Sequence, residues 1–116
     1  KGIAALKEIR KEFETNLFIP GSKEGMNVEL DKAIRLYDFI TMGELVAYDA
    51  LNRNESCGGH FREEHQTEEG EAKRDDANFF YVACWEYQGS DDKAPVLYKE
   101  PLVYEAIKVQ TRNYKS

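Results

Sequence analysis

Apolar positions recur at helical spacing from the start of the chain. Ile3, Leu6, Ile9, Phe13 and Leu17 define one stripe, with Lys7, Glu8, Lys11, Glu12 and Glu14 between them. The pattern predicts an amphipathic helix over residues 2–17. Phe18-Ile19-Pro20-Gly21 stops it, because Pro20 disfavours helix at Ile19 and Gly21 permits a turn. A short polar loop follows, from Ser22 to Gly25. A second periodic run, Leu30, Ala33, Ile34, Tyr37, Ile40, Leu45, Tyr48 and Leu51, predicts a long helix from about Asn27 to Arg53. Asn27 suits the N-cap, and Glu29 and Asp31 suit the positive end of the helix dipole. Two helices joined by a short loop predict an antiparallel hairpin. Gly43, Ala47 and Ala50 share one face of the second helix, where small side chains admit close packing or a further helix.

The pattern then changes. Residues 63–76 are polar and mostly acidic, which predicts a surface loop. From Phe79 to Tyr87 the period becomes two: Phe79, Tyr81, Ala83, Trp85 and Tyr87 alternate with Phe80, Val82, Cys84 and Glu86. Gly89-Ser90-Asp91-Asp92-Lys93 is a turn, and 95–99 returns as a second strand. Pro101 is expected to bend that strand, with an extended tail beyond. The fold class is α+β, mainly α. One domain over 1–116 is expected: a helical hairpin (1–53), a corner and acidic loop (54–77), and a β-hairpin with an extended C-terminal tail (78–116).

Composition adds exclusions. The chain has 116 residues and a net charge of -6, with no basic stretch to track a phosphate backbone, so nucleic acid is not an expected partner. No apolar run reaches the length of a membrane span, so no membrane insertion is expected. Two cysteines do not make a secreted disulfide framework, and a reducing, intracellular compartment is expected. The abrupt, charged start without Met suggests a piece of a longer chain.

The candidate chemistry gathers in one stretch, Arg53-Asn54-Glu55-Ser56-Cys57-Gly58-Gly59-His60-Phe61-Arg62. Three readings are open. Cys57, His60, His65 and Cys84 are the residue types that hold zinc, within a stand-alone interaction module, although no Cys-x-x-Cys pair is present and a mid-strand Cys84 suits a buried apolar thiol. Cys57 and His60 are also a nucleophile and a base, with Arg53 and Arg62 near enough to favour a thiolate. The plainest reading is a corner. Arg53, Glu55, His60 and Arg62 pin the end of the long helix, and Gly58-Gly59 supplies the turn beyond it.

The wording Arg53-x-Glu55-Ser56-x-Gly58-x-His60-x-Arg62, after Ala50-Leu51-Asn52, resembles the C-terminal domain of succinate dehydrogenase and fumarate reductase flavoprotein subunits. L-aspartate oxidase shares a related segment. Arg74-Asp75-Asp76-x-Asn78-Phe79 resembles the family's lead into an aromatic strand, and Tyr98 to Tyr114 its closing extended segment. Cys57 stands where many members have Arg, and Cys-Gly-Gly-His-Phe-Arg-Glu-Glu resembles the Bacteroidetes-type branch.

The resemblance implies a remnant of a spectrin-repeat-like three-helix bundle followed by extended segments. It implies a parent enzyme that binds FAD, interconverts succinate and fumarate and passes electrons to an iron–sulfur subunit, peripheral on the inner face of the cytoplasmic membrane. The flavin-binding domain of the same chain and the iron–sulfur subunit are the implied partners. No catalytic, cofactor-binding or metal residue is carried over to this segment, and His60 is not the flavin-linking His. The interdomain or structural residues expected are Arg53, Glu55, Ser56, Gly58, His60 and Arg62.

Overall fold

The computed structural model describes residues 1–110. Contacts divide the chain between Asp49 and Ala50 into two compact units.

The first unit is a helical hairpin. Helix α1 runs Gly2–Asn16 and gives way at Leu17, whose ψ of 125° is extended. Helix α2 runs Val28–Asn52, its last residues lying in the second unit. Asn27 caps α2 as expected: its Oδ1 accepts from the amides of Glu29 and Leu30, both at 3.1 Å. Its Nδ2 donates to the Pro20 carbonyl at 3.2 Å, so the same side chain closes the loop between the helices. Gly21 is needed beside it. Its φ is +122°, and an added Cβ would lie 2.5 Å from Asn27 Nδ2.

Leu6 lies 3.7 Å from where a Cβ on Gly43 would sit, and the rings of Phe13 and Tyr37 are 5.9 Å apart. Partners in α2 descend as positions in α1 rise, so the pair is antiparallel. The seam follows 3–4 spacing, with Ile3, Leu6, Arg10 and Phe13 on α1 and Ala33, Ile40 and Glu44 on α2 buried or half-buried, and Tyr37 at its edge against Phe13. A charged pair occupies the middle of this seam. Arg10 Nη2 donates to Glu44 Oε2 at 3.0 Å, Nη1 donates to Thr41 Oγ1 at 3.2 Å, and the guanidinium lies 5.5 Å from the Tyr37 ring centre. Ile9, assigned to the apolar stripe by its chemistry, is 50% exposed, whereas Arg10 is 7% exposed. The stripe is displaced by one position because the long Arg stem packs as an apolar group does, with its charge met by Glu44.

The second unit carries a four-residue helix, α3 (Asp76–Phe79), and two strands, β1 (Tyr81–Glu86) and β2 (Val96–Pro101). The strands pair antiparallel from Tyr81↔Pro101 to Glu86↔Val96. The alternation holds: Tyr81 is buried and Ala83 and Trp85 are half-buried, while Val82, Cys84 and Glu86 are exposed. Three sequence expectations need correction. Phe79 ends α3 and is not in the strand, because Asp75 caps a helical turn there, accepting from the Asn78 amide at 3.3 Å. Cys84 is exposed and does not pack as a buried thiol. Pro101 does not bend β2 but ends it, where a missing N–H is least costly. Leu102 adds one further link, donating to the Phe80 carbonyl at 3.2 Å. Residues 103–110 form no strand, and the rest of the expected tail lies outside the described residues.

The acidic segment is also more ordered than a plain loop. Gln66 and Ala72 pair as an isolated bridge, Thr67 donates to the Glu71 carbonyl at 2.8 Å, and Lys73 donates to the His65 carbonyl at 3.1 Å. Glu63, Glu64, Glu68 and Glu69 are exposed, while the backbone closes on itself.

The buried pair of the first unit yields a test. Glu44→Ala strands the Arg10 charge and is expected to lower stability of the helical unit by about 3 kcal/mol. Combining Arg10→Met with Glu44→Leu is expected to regain most of the loss. Urea unfolding followed by helical circular dichroism measures both.

Candidate functional site

The corner begins where α2 ends. Cys57 and His60 exchange backbone hydrogen bonds, Cys57 N to His60 O at 2.8 Å and His60 N to Cys57 O at 3.1 Å. Gly58 and Gly59 are the two residues between them. Gly58 is left-handed at φ +57° and Gly59 is not, as in a type II′ turn, which calls for glycine at its first central position. The turn reverses the chain and returns His60 and Arg62 to the end of the helix. His60 Nε2 lies 2.8 Å from the Arg53 carbonyl. A carbonyl only accepts, so Nε2 carries the hydrogen. Arg62 Nη1 reaches the same carbonyl at 3.5 Å. These side chains supply a backbone acceptor just past α2 with the partners that the helix no longer provides.

Ser56 is fully buried and Glu55 is 2% exposed. Ser56 Oγ accepts from the Arg62 amide at 2.8 Å and donates to the Arg62 carbonyl at 3.2 Å. The Ser56 amide donates to the Lys73 carbonyl at 3.0 Å, tying the corner to the acidic segment. Glu55 uses both carboxylate oxygens: Oε1 accepts from Arg53 Nη1 and Oε2 from the Asp75 amide, each at 2.8 Å. Arg53 then extends the network to the sheet. It donates to the carbonyls of Phe79 at 3.3 Å and Tyr81 at 3.4 Å, and its guanidinium lies 5.3 Å from the Tyr81 ring centre. Lys99 Nζ is 4.5 Å from the same centre.

The rim is exposed and charged. Arg62 pairs with Glu64 at 2.6 Å. A backbone hydrogen bond first, and Arg62 second, hold the Glu64 carboxyl below its usual range. Arg74 pairs with Asp76, and that hydrogen bond raises the Arg74 guanidinium further. On the strands, Tyr98 donates to Glu86 Oε2 at 3.1 Å, which pushes the Tyr98 phenol above its ordinary range.

The structure therefore gathers Arg53, Glu55, Ser56, His60 and Arg62 in one network, with Gly58 at the turn that closes it. It does not assemble the zinc set. Among the described residues no three His, Cys, Asp or Glu side chains converge. His65 Nε2 meets Asn54 Oδ1 at 3.0 Å, His60 is turned to Arg53, and Cys84 is exposed on β1. Of the Cys57–His60 pair, the His60 Nε2 is committed to the Arg53 carbonyl. Lys73, Asp75 and Tyr81 complete the network and were not anticipated as its members. The pattern Asp75-Asp76-x-Asn78 carried a signal for Asp75, as a helix cap. Nothing in the sequence marked the Lys73 carbonyl.

A helical hairpin and a β-hairpin, with a corner whose buried charges bind backbone and one another, make an α+β fold, mainly α. The family model described as the fumarate reductase flavoprotein C-terminal domain matches residues 1–114, and the chain belongs to that family. A search of curated proteins finds no match.

The turn separates two adjacent glycines. Each has open space around it, so only backbone strain distinguishes them. Gly58→Ala is expected to cost about 1–2 kcal/mol, and Gly59→Ala much less. Ser56→Ala is expected to cost about 1–3 kcal/mol, because it leaves the half-buried Arg62 amide without its partner, while the Arg62 carbonyl still accepts from the His65 amide. Thermal unfolding of the three variants checks the order.

Proposed function

We propose that the chain is the non-catalytic C-terminal structural and docking domain of an FAD-dependent succinate dehydrogenase or fumarate reductase flavoprotein subunit. The observation that carries this reading is the family match over residues 1–114. The corner chemistry supports it. Arg53, Glu55 and His60 make their hydrogen bonds within the fold, which suits residues that set the shape of a docking surface. In this reading FAD binds in the rest of the parent subunit. That subunit interconverts succinate and fumarate and passes electrons to an iron–sulfur subunit. The chain rests against the flavin-binding domain and helps form the surface that the iron–sulfur subunit meets. In this reading the parent complex holds it at the inner face of the cytoplasmic membrane. Among the described residues no helix is long and apolar enough to cross a membrane.

The test separates docking from chemistry. In the whole complex, Arg53→Ala, Glu55→Ala and His60→Ala are expected to reduce the amount of iron–sulfur subunit that co-purifies and to lower thermal stability. Single-turnover flavin reduction by succinate, per assembled complex, is expected to be unchanged. Normal assembly with abolished flavin reduction would place these residues in the reaction and refute the reading.

A further inference from the structure

Helix α2 is unbroken from Val28 to Asn52, and the division between the two units falls inside it, after Asp49. It is held at two places by different means. Near its middle, Thr41 and Glu44 accept from the buried Arg10 guanidinium of α1. Just past its C-terminus, His60 Nε2 and Arg62 Nη1 donate to the Arg53 carbonyl. The Arg53 side chain is itself fixed by Glu55 and by the carbonyls of Phe79 and Tyr81. Between Glu44 and Arg53 there is no glycine or proline to interrupt the helix.

The helical unit has little else to hold it. Among the described residues its buried apolar side chains are Ala33 and Ile40. A core of that size is a thin margin for any unit shorter than about 70 residues. A helix with so little packing frays from a free end, because the carbonyls of its last turn have no partners within the helix and each further turn gains little alone.

We propose that α2 relays stability between the two units: the corner, by pinning the end of α2, keeps the helical hairpin folded, and loosening either unit loosens the other. The stretch from Glu44 to Arg53 carries the relay. Coupling of this kind is reciprocal, so a substitution in one unit is read in the other.

Urea unfolding of the 116-residue chain with two probes tests this. Far-ultraviolet circular dichroism reports mainly the hairpin, since α1 and α2 have 15 and 25 residues and α3 has 4. Fluorescence of Trp85, the single tryptophan, reports β1 of the second unit. The two transitions are expected to coincide in the wild type. Gly58→Ala, at the turn, is expected to lower the circular dichroism midpoint as far as the fluorescence midpoint, and Glu44→Ala, in the hairpin, to lower both together. Ala50→Pro interrupts α2 between Glu44 and the corner, and is expected to split the transitions, with the helical signal lost at lower urea. Separate transitions in the wild type overturn the proposal. So does an effect of Gly58→Ala or Glu44→Ala confined to the probe of its own unit, or coincident transitions in a folded Ala50→Pro chain. Should Ala50→Pro not fold, the other two variants decide the matter.

Discussion

A carboxylate sealed from water must have a partner for each oxygen, and Glu55 is the point on which the second unit turns. At 2% exposure, an unpartnered charge there would cost several kcal/mol. Arg53 and the Asp75 amide meet its two oxygens, so the residue leaving α2 and the residue opening α3 are brought to the same place. Arg53 goes on to the carbonyls of Phe79 and Tyr81, which fixes where β1 starts. Ser56, beside Glu55, binds Arg62 through both backbone groups and Lys73 through its own amide. The geometry of the turn, the acidic segment and the first strand thus follows from satisfying two adjacent buried polar side chains. The first unit repeats the logic with Arg10 and Glu44. Polar groups at seam positions stabilise weakly but specify which residues meet, because any slip leaves them unpaired.

Much of this was legible in the sequence. The periodicity of 3–17 and 30–51 located both helices to within a residue or so, and Asn27 marked the start of the second. The alternation after Tyr81 gave the strand and its buried face. Arg53, Glu55, Ser56, Gly58, His60 and Arg62 stood out by residue type and by resemblance. What escaped has physical reasons. Arg10 was not singled out, because a single helix does not show which charge its partner will neutralise. The acidic run 63–76 concealed backbone pairing, since side-chain charge does not report where carbonyls and amides go. Phe79 fitted an alternating pattern, but the Asp75 cap acts locally and forms a helical turn first. The four zinc-type residues were close enough in sequence to suggest a site, and the fold gives each of the two histidines another oxygen instead.

The chain's membership in the fumarate reductase flavoprotein C-terminal family agrees with a fold whose polar residues serve architecture. A corner held by bonds to backbone resists rearrangement better than one held by exposed ion pairs, which suits the docking role proposed above. Cys57, where many members of the family have Arg, is half-buried at the turn, and nothing in the structure explains the exchange.

The corner, more than the β-hairpin, is expected to be the most stable part of the second unit, because its buried polar groups are bonded to backbone. Native-state amide hydrogen exchange, resolved by residue, tests it directly. The amides of Ser56, Arg62 and Asp75, held by Lys73 O, Ser56 Oγ and Glu55 Oε2, are expected to exchange last in that unit, together, and later than the amides of β1 and β2. Exchange at these three as fast as in the exposed turn at 89–93, with the strands still protected, would contradict the account.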